Sequence, residues 1–421
     1  MALIVQKYGG SSVGSVDRIR HVASRVIEAK KAGHDVVVVV SAMQGETDRL
    51  IQLANALSNE PTPREYDVLV ATGEQVSMSL LAMALNAQDC PARSYSSLQV
   101  RILTDDLHTS ARILNVETSL VEKSLSEGFV VVIAGFQGVN SCGDITTLGR
   151  GGSDTTAVAL AIALKADECQ IYTDVEGVFT TDPRVLSKAT LLKEISFEEM
   201  LEMASLGAKV LQMRSVELAS KHNMPVRVLS TFSRMPGTIV TDEEKIMQKR
   251  LVSGIAFSRE EAIFSLSGVP NRAGVEGLIL NKVSSAHIGI DMIAQNAAAG
   301  QTTDFTFTVQ RMDYKKTLSI IEKLAAELGA VSLKSRATVA KLSVVGLGMR
   351  SHSGVATTMF NALGEVGINI QMITTSEIKI SVVIEEKMLD TAIRAIHDAF
   401  ELDRLSSMTG QPIPLELSVE K

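Results

Sequence analysis

Through residues 1–240, short β-branched runs alternate with longer stretches of helical spacing, the pattern of parallel βαβ units. The runs Leu3–Tyr8, Asp35–Val40, Phe129–Ala134, Gln170–Thr173 and Val226–Leu229 are nearly all apolar and read as central strands of a sheet covered on both faces. Helical spacing or composition marks Ser15–Lys31, Thr47–Leu57, Arg64–Asn86, Ser153–Leu164, Ser196–Ser205 and Ala208–Lys221. The expected class is α/β, a three-layer αβα sandwich on a mostly parallel sheet. Residues 241–251 open as TDEEKIMQKR, a charged run without strand neighbours that reads as a linker.

A smaller unit follows twice, over 252–335 and 336–421. Gly274-Val275 recurs as Gly354-Val355, and the same shift carries Asn281 onto Asn361, Ile288 onto Ile368 and Met292-Ile293 onto Met372-Ile373. In each copy a strand (Ala262–Leu266; Lys341–Val345) leads through a Gly-containing turn into a helix. A second strand and helix follow later (Asp304–Val309 and Tyr314–Leu328; Ile378–Ile384 and Lys387–Phe400). The order is that of a ferredoxin-like βαββαβ unit.

Composition narrows the function classes. The 421 residues are 45% hydrophobic, enough for two to three domains, and the net charge of −7 lacks the basic footprint of a nucleic-acid binder. Anionic ligands must then be held by local groups. Cys90, Cys142 and Cys169 form no CxxC pattern and no disulfide framework, so a reducing compartment, the cytoplasm, is expected. The opening MALIVQKYGG meets Lys7 too early for a signal peptide, and no apolar stretch is expected to approach a membrane span, so no membrane partner is expected.

Five segments carry candidate chemistry. The first strand ends in Lys7-Tyr8-Gly9-Gly10-Ser11-Ser12, where exposed amides, a helix start and a lysine suit phosphate oxygens; a plain βα turn is the other reading. The second strand ends in Ser41-Ala42-Met43-Gln44-Gly45-Glu46-Thr47, at the sheet edge where ligands bind in open α/β folds, or with Thr47 as a simple helix cap. Thr146-Thr147-Leu148-Gly149-Arg150-Gly151-Gly152-Ser153-Asp154-Thr155-Thr156 sets an arginine among glycines before a helix. That arginine can grip a carboxylate, and Asp154 can hold an ammonium group or orient a metal-bound phosphate; a helix cap alone would not need the Gly-Arg-Gly-Gly. The loop Thr173-Asp174-Val175-Glu176-Gly177-Val178-Phe179 through Asp182-Pro183-Arg184 can wrap a nucleoside or be a solvated hairpin, and Lys209 is a further cation or a surface lysine. Glu74, in an apolar helix, either faces a cleft that offers it an ammonium partner or lies on the polar stripe.

Taken in order, Lys-Tyr-Gly-Gly-Ser, Val-Ser-Ala-Met, Gly-Glu-x-x-Ser, Gly-Arg-Gly-Gly-Ser-Asp-Thr-Thr-Ala and Thr-Asp-Val-x-Gly-Val-x-Thr-x-Asp-Pro-Arg resemble the aspartate kinases of the amino acid kinase family, and the repeat resembles their paired ACT domains. The resemblance implies transfer of phosphate from ATP, with Mg²⁺, to the side-chain carboxylate of L-aspartate. It makes Lys7 and Asp154 catalytic, and Ser41, Thr47, Glu74, Arg150, Gly151, Gly152, Ser153 and Asp154 substrate-binding. Lys7, Tyr8, Gly9, Gly10, Thr173, Asp174, Phe179, Arg184 and Lys209 would surround ATP, with no dedicated protein metal site. It further implies feedback by lysine, threonine or both through Asp291, Met292, Gln295, Asn369 and Ile370, and a homodimer or larger assembly through the ACT domains. An internal start at Met247 would give a separate regulatory subunit. Phe179 stands where the family has Tyr, and Asn271-Arg272-Ala273-Gly274 replaces an Asp-x-Pro-Gly type of turn near the effector site.

Three other readings compete. A kinase for glutamate or N-acetylglutamate shares the fold, but an acylated amine would not need Glu74. A nicotinamide-dependent oxidoreductase would need the G-x-G-x-x-G fingerprint that is missing here. A non-catalytic amino-acid sensor would bind effector and turn nothing over.

Overall fold

The structure is a computed structural model and describes residues 2–206, 210–246, 250–297, 302–350 and 354–404. The chain separates into two units, Met1–Val178 with Leu191–Gln248, and Phe179–Thr190 with Lys249–Lys421.

The first unit begins β1 (Leu3–Tyr8), α1 (Val16–Lys31), β2 (Asp35–Val40), α2 (Glu46–Leu57), α3 (Pro63–Val70) and α4 (Thr72–Asn86). It continues with β3 (Ala92–Tyr95), β4 (Ile102–Thr104), β5 (Ile113–Val116), α5 (Ser119–Ser126), β6 (Val130–Ala134), β7 (Gln137–Val139), β8 (Ile145–Thr147) and α6 (Gly152–Ala163). Then come β9 (Glu168–Thr173), β10 (Glu194–Ser196), α7 (Phe197–Ser205), α8 (Met213–Lys221), β11 (Val226–Ser230) and β12 (Thr238–Thr241). Eight strands form one sheet in the order β10-β12-β11-β9-β1-β2-β6-β3, and its central strands, from β11 through β3, are parallel.

The local causes are visible in the sequence. A run of five valines follows Asp35 in β2, and every one of them is fully buried because both faces of the sheet are covered. Val36, Val38 and Val40 join the cluster beneath α1 and α4, with Tyr8, Val22, Val26, Leu81 and Leu85. Ser15 caps α1 by accepting the Arg18 amide, Asp17 lies in the first turn, and Lys30 and Lys31 close the last turn, each matching the helix dipole.

The expected strands and helices recur within a few residues, with three differences. Arg64–Asn86 is broken at Ala71 into α3 and α4, and together Pro63–Asn86 is a 24-residue helical stretch long and apolar enough to cross a membrane. The expectation that no stretch approaches that length is corrected; half of this one is buried inside the unit, so its apolarity serves the core. The sheet β5-β4-β7-β8 was not foreseen, since strands of three or four residues are too short to display a period. The supposed linker starts inside a strand, because Thr241 pairs with Ser196 as the last residue of β12.

The second unit contains β13 (Gly254–Pro270), α9 (Val275–Ser284), β14 (Ile290–Ala297), β15 (Thr302–Gln310), α10 (Tyr314–Leu328), β16 (Ser332–Val345), α11 (Gly354–Glu365), β17 (Met372–Thr375), β18 (Lys379–Glu385) and α12 (Leu389–Ala399). One antiparallel sheet joins them in the order β14-β15-β13-β16-β18-β17. Among the described residues three apolar clusters lie on it: Phe264, Phe305 and Phe307 with α9 and α10, Ile255, Leu342, Val344 and Val382 with α11 and α12, and a smaller one of Ile263, Met292, Val339, Met372 and Val383.

The two repeats are nested. Gly254–Ser258, at the start of the first repeat as expected from 252, pair with Lys341–Val345, and Ile255 and Phe257 pack into the core of the second. β16 runs unbroken through the expected boundary at 335/336, its first half pairing within one repeat and its second half within the other. Each repeat thereby completes a four-stranded face to cover its two helices.

Candidate active site at the carboxyl edge of the parallel sheet

Because the central strands are parallel, the ends of β1, β2, β6 and β9 emerge on one edge, and three of the motif segments start there, while the Thr146–Thr156 segment starts in β8 and enters α6. Lys7 lies one residue before the end of β1, in register with Val39 and Ile171. Its Nζ is 2.6 Å from Asp154 Oδ1 in the first turn of α6, and the two side chains are 12% and 9% exposed. A cation and an anion are thus held, nearly desolvated, at the positive end of a helix.

The α6 N-cap is Gly151, in the left-handed conformation and without a side-chain cap bond. Ser153 and Asp154 therefore are not its caps. Close approach fixes this geometry: a Cβ on Gly135, just after β6, would lie 2.8 Å from the Ser153 side chain. The Thr156 hydroxyl accepts from the Phe136 amide at 3.2 Å, tying the end of β6 to α6. Arg150 is exposed, on the loop between β8 and α6.

Glu74 lies in the first turn of α4 and is 3% exposed, so the surface reading of this residue is set aside. Oε1 accepts from the Ala42 amide at 2.9 Å, while Oε2 is buried without a hydrogen-bond partner. Burial pushes the carboxyl up to about 7, with the Ala42 N–H partly offsetting it. The Ser77 hydroxyl donates to the Ser41 carbonyl at 2.7 Å, so α4 and the end of β2 are joined at two adjacent residues. Thr47 lies in the first turn of α2, whose N-cap is Gly45.

The nucleotide residues divide. Gly9 and Gly10 follow β1, with the Gly9 amide donating to the Tyr172 carbonyl at 3.3 Å. The Tyr8 ring is fully buried, stacked on Tyr172 at 4.6 Å, and faces the α1 and α4 layer, so only its backbone reaches the edge. Thr173 and Asp174 end β9 at the same edge, bonded to each other through their side chains at 3.1 Å. Phe179 and Arg184 fall in the second unit, where the exposed Arg184 guanidinium engages Asp182 at 2.7 Å. Lys209 and Met247 lie outside the described residues.

The effector candidates all fall in the second unit. Asp291 is ion-paired with Lys341, the Met292 amide donates to Thr308 Oγ1 at 3.0 Å, and Gln295 donates to Glu276 at 2.8 Å. Asn369 is exposed and Ile370 packs against the core beneath α11 and α12.

Two groups were missed from sequence. The Ser12 and Thr231 hydroxyls bond at 2.6 Å, joining the turn after β1 to the end of β11. Asp67 is fully buried on α3; a charged residue on an apolar helix face was the available signal.

A model of the amino acid kinase family matches residues 2–230, and one of the ACT domain matches residues 342–400. The aspartate kinase Ask_LysC of Stutzerimonas stutzeri strain A1501 is 59% identical over 412 residues, covering 98% of this chain and all of that one. Among solved structures, E. coli aspartokinase III in complex with aspartate and ADP is 26% identical with a TM-score of 0.75, covering 94% of this chain and 99% of that one. The same enzyme with lysine and aspartate is 26% identical with a TM-score of 0.77, over the same shares. The chain therefore belongs to the amino acid kinase family and, within it, to the aspartate kinases.

Proposed function

We propose that the chain phosphorylates the side-chain carboxylate of L-aspartate from ATP, with Lys7 and Asp154 at the reacting centre, and that lysine, threonine or both restrain it through the ACT repeats. The observation that carries this reading is the convergence, on one sheet edge, of a desolvated cation at Lys7, an unpartnered buried carboxylate oxygen on Glu74 and an exposed arginine at 150.

A substrate carboxylate is already ionised near neutral pH, so the reaction needs no general base. Catalysis reduces to in-line positioning and neutralisation of phosphoryl charge. Glu74 receives the α-ammonium group, which supplies the partner its Oε2 lacks, and Arg150 forks onto the α-carboxylate. Ser41, Thr47, Gly151, Gly152 and Ser153 line the same end. Lys7, held by Asp154 before substrate arrives, turns to the β/γ phosphates, where Gly9, Gly10, Thr173 and Asp174 border the nucleotide. Glutamate or N-acetylglutamate fits less well, because an acylated amine would leave Glu74 unpaired.

Among the described residues no group of three or more His, Cys, Asp or Glu could hold a metal. Mg²⁺ would bind through substrate phosphates and one or two carboxylates, here Asp154. When bound it neutralises charge on the β and γ phosphates.

Lysine appears with aspartate in the E. coli neighbour, and on this chain Asp291, Met292, Gln295, Asn369 and Ile370 are the proposed effector contacts. Assembly into a homodimer or larger oligomer through the ACT repeats, in the cytoplasm, completes the reading. An ATP- and Mg²⁺-dependent hydroxamate assay with aspartate, glutamate and N-acetylglutamate, with and without lysine and threonine, tests it. Hydroxamate from aspartate alone is expected; none from aspartate refutes the reading.

A further inference from the structure

We infer that Asp67 is a positioning residue that sets the separation of Glu74 from the Arg150 loop, and with it the grip on the amino-acid substrate. This rests on the reading of Glu74 and Arg150 as the substrate's ammonium and carboxylate partners.

Asp67 is 0% exposed, and its carboxylate collects donors from two segments remote in sequence. Oδ1 accepts from Thr147 Oγ1 at 2.6 Å, and Oδ2 from the Thr147 amide at 3.1 Å. The Thr109 amide donates to Oδ2 at 2.9 Å, and His108 Nδ1 lies 2.9 Å from the same oxygen. An apolar side chain would pack α3 against the sheet without the desolvation that a buried carboxylate incurs. What a carboxylate adds is a multi-point attachment to β8 and to the loop around Thr109.

The attachment closes into a ring. Thr147 pairs with Gln137 across the β7–β8 ladder. Gln137 Nε2 donates to the Ala71 carbonyl at 2.8 Å, and the Ala71 amide donates to the Asp67 carbonyl at 3.0 Å. Asp67, Gln137 and Thr147 are each 1% exposed or less, so water does not compete for these bonds. The ring clamps the elbow between α3 and α4 onto the β7–β8 hairpin at two points.

Both ends of the clamp lead to the site. Past the elbow, α4 carries Glu74 in its first turn, and past Thr147 the chain reaches Leu148, Gly149 and Arg150. The second attachment supports that loop from below: Gly149 has φ +75°, and a Cβ there would lie 3.2 Å from the Thr109 carbonyl oxygen. The Leu148 carbonyl is held by Arg214 at 3.2 Å. Loosening Asp67 therefore changes the distance between two groups that must meet opposite ends of one small substrate. The nucleotide side, built on β1 and β9, has no part in the ring.

The test is steady-state kinetics of the full chain with Asp67→Asn, which keeps shape but converts one acceptor into a donor facing N–H groups. The aspartate KM is expected to rise about tenfold to a hundredfold, the scale of a misplaced substrate grip, with the ATP KM within about twofold. Arg150→Lys serves as the reference and should also raise the aspartate KM. If Arg150→Lys raises it and Asp67→Asn does not, the positioning role is overturned while the site reading stands. A fall in kcat with both KM values unchanged, the pattern of a partly unfolded enzyme, also overturns it. If Arg150→Lys leaves the aspartate KM unchanged, the site reading fails and takes this inference with it. Should Asp67→Asn not fold, Thr147→Val removes only the hydroxyl bond: a rise of about threefold to tenfold in aspartate KM supports the role, and an unchanged value overturns it.

Discussion

The parallel sheet of the first unit and the antiparallel sheet of the second bury ionisable groups in different places. In the first, Lys7, Asp154 and Glu74 gather past the ends of strands, where every central strand emerges on one edge. In the second, the buried Lys341 and Glu261 sit along strands, with the exposed Asp291 beside them: Lys341 is paired directly with Asp291 and lies 4.0 Å from Glu261. Strands of an antiparallel sheet end alternately at both edges, so no common edge collects side chains, and charges are answered by neighbours across the ladder. Glu261 therefore has a cation nearby, whereas among the described residues Glu74 forms no ion pair. Burial raises both carboxyls, but Lys341 opposes the rise at Glu261 and only backbone amides, those of Ala42 and Glu74 itself, do so at Glu74. A buried carboxylate lacking a protein cation marks where a ligand belongs; one with a cation marks where the fold joins itself.

Substitutions can break or sharpen this contrast. The largest effect is expected for Lys7→Ala, a fall in turnover of about a thousandfold in a chain that still folds at the assay temperature; near-normal turnover would remove Lys7 from the reacting centre. Lys341→Met should instead cost about 3 kcal/mol of stability by leaving one member of a buried group unpaired, read by denaturant unfolding, with turnover in the absence of effector preserved.

Glu74→Gln should lower kcat/KM for aspartate by about tenfold above pH 7 and abolish a pH limb. In the parent chain, kcat/KM should rise as Glu74 ionises near pH 7 and then level off. Stability has the opposite sign. The folded-state pKa is about 7 against an ordinary 4.5, so between those values the folded chain holds a proton the unfolded chain has lost. Stability contributed by this group is complete below the lower value, falls as pH rises across the window, and is level above it. A Glu74→Gln chain whose pH profiles match the parent would refute the assignment. The smallest effect is expected for Ser196→Ala, which dismantles the capping box with Glu199 and should cost about 1 kcal/mol with kinetics unchanged.

The long elements were legible because they are strongly patterned. The valine run of β2 and the helical spacing of α1 and α10 admit one reading each, and the repeat revealed itself through matching turns and helices. The Lys7, Glu74, Arg150 and Asp154 candidates were legible as motifs. The pairing of Lys7 with Asp154 was not, since the two are brought together only when α6 returns over the end of β1. Tyr8 shows the reverse: its motif suggested a site residue, but strand alternation turns its ring into the core.

By itself the sequence determined the class of fold, the presence of two related βαββαβ units and the residue types available for phosphoryl transfer, because periodicity and motif order are local properties. Only the tertiary structure decided the nesting of the repeats, the passage of Phe179–Thr190 into the second unit, and the ring that ties Asp67 to Thr147 and Gln137. Those features depend on pairings between segments far apart in the chain. Which donor meets a buried carboxylate, and whether any cation does, is settled when the strands take their order.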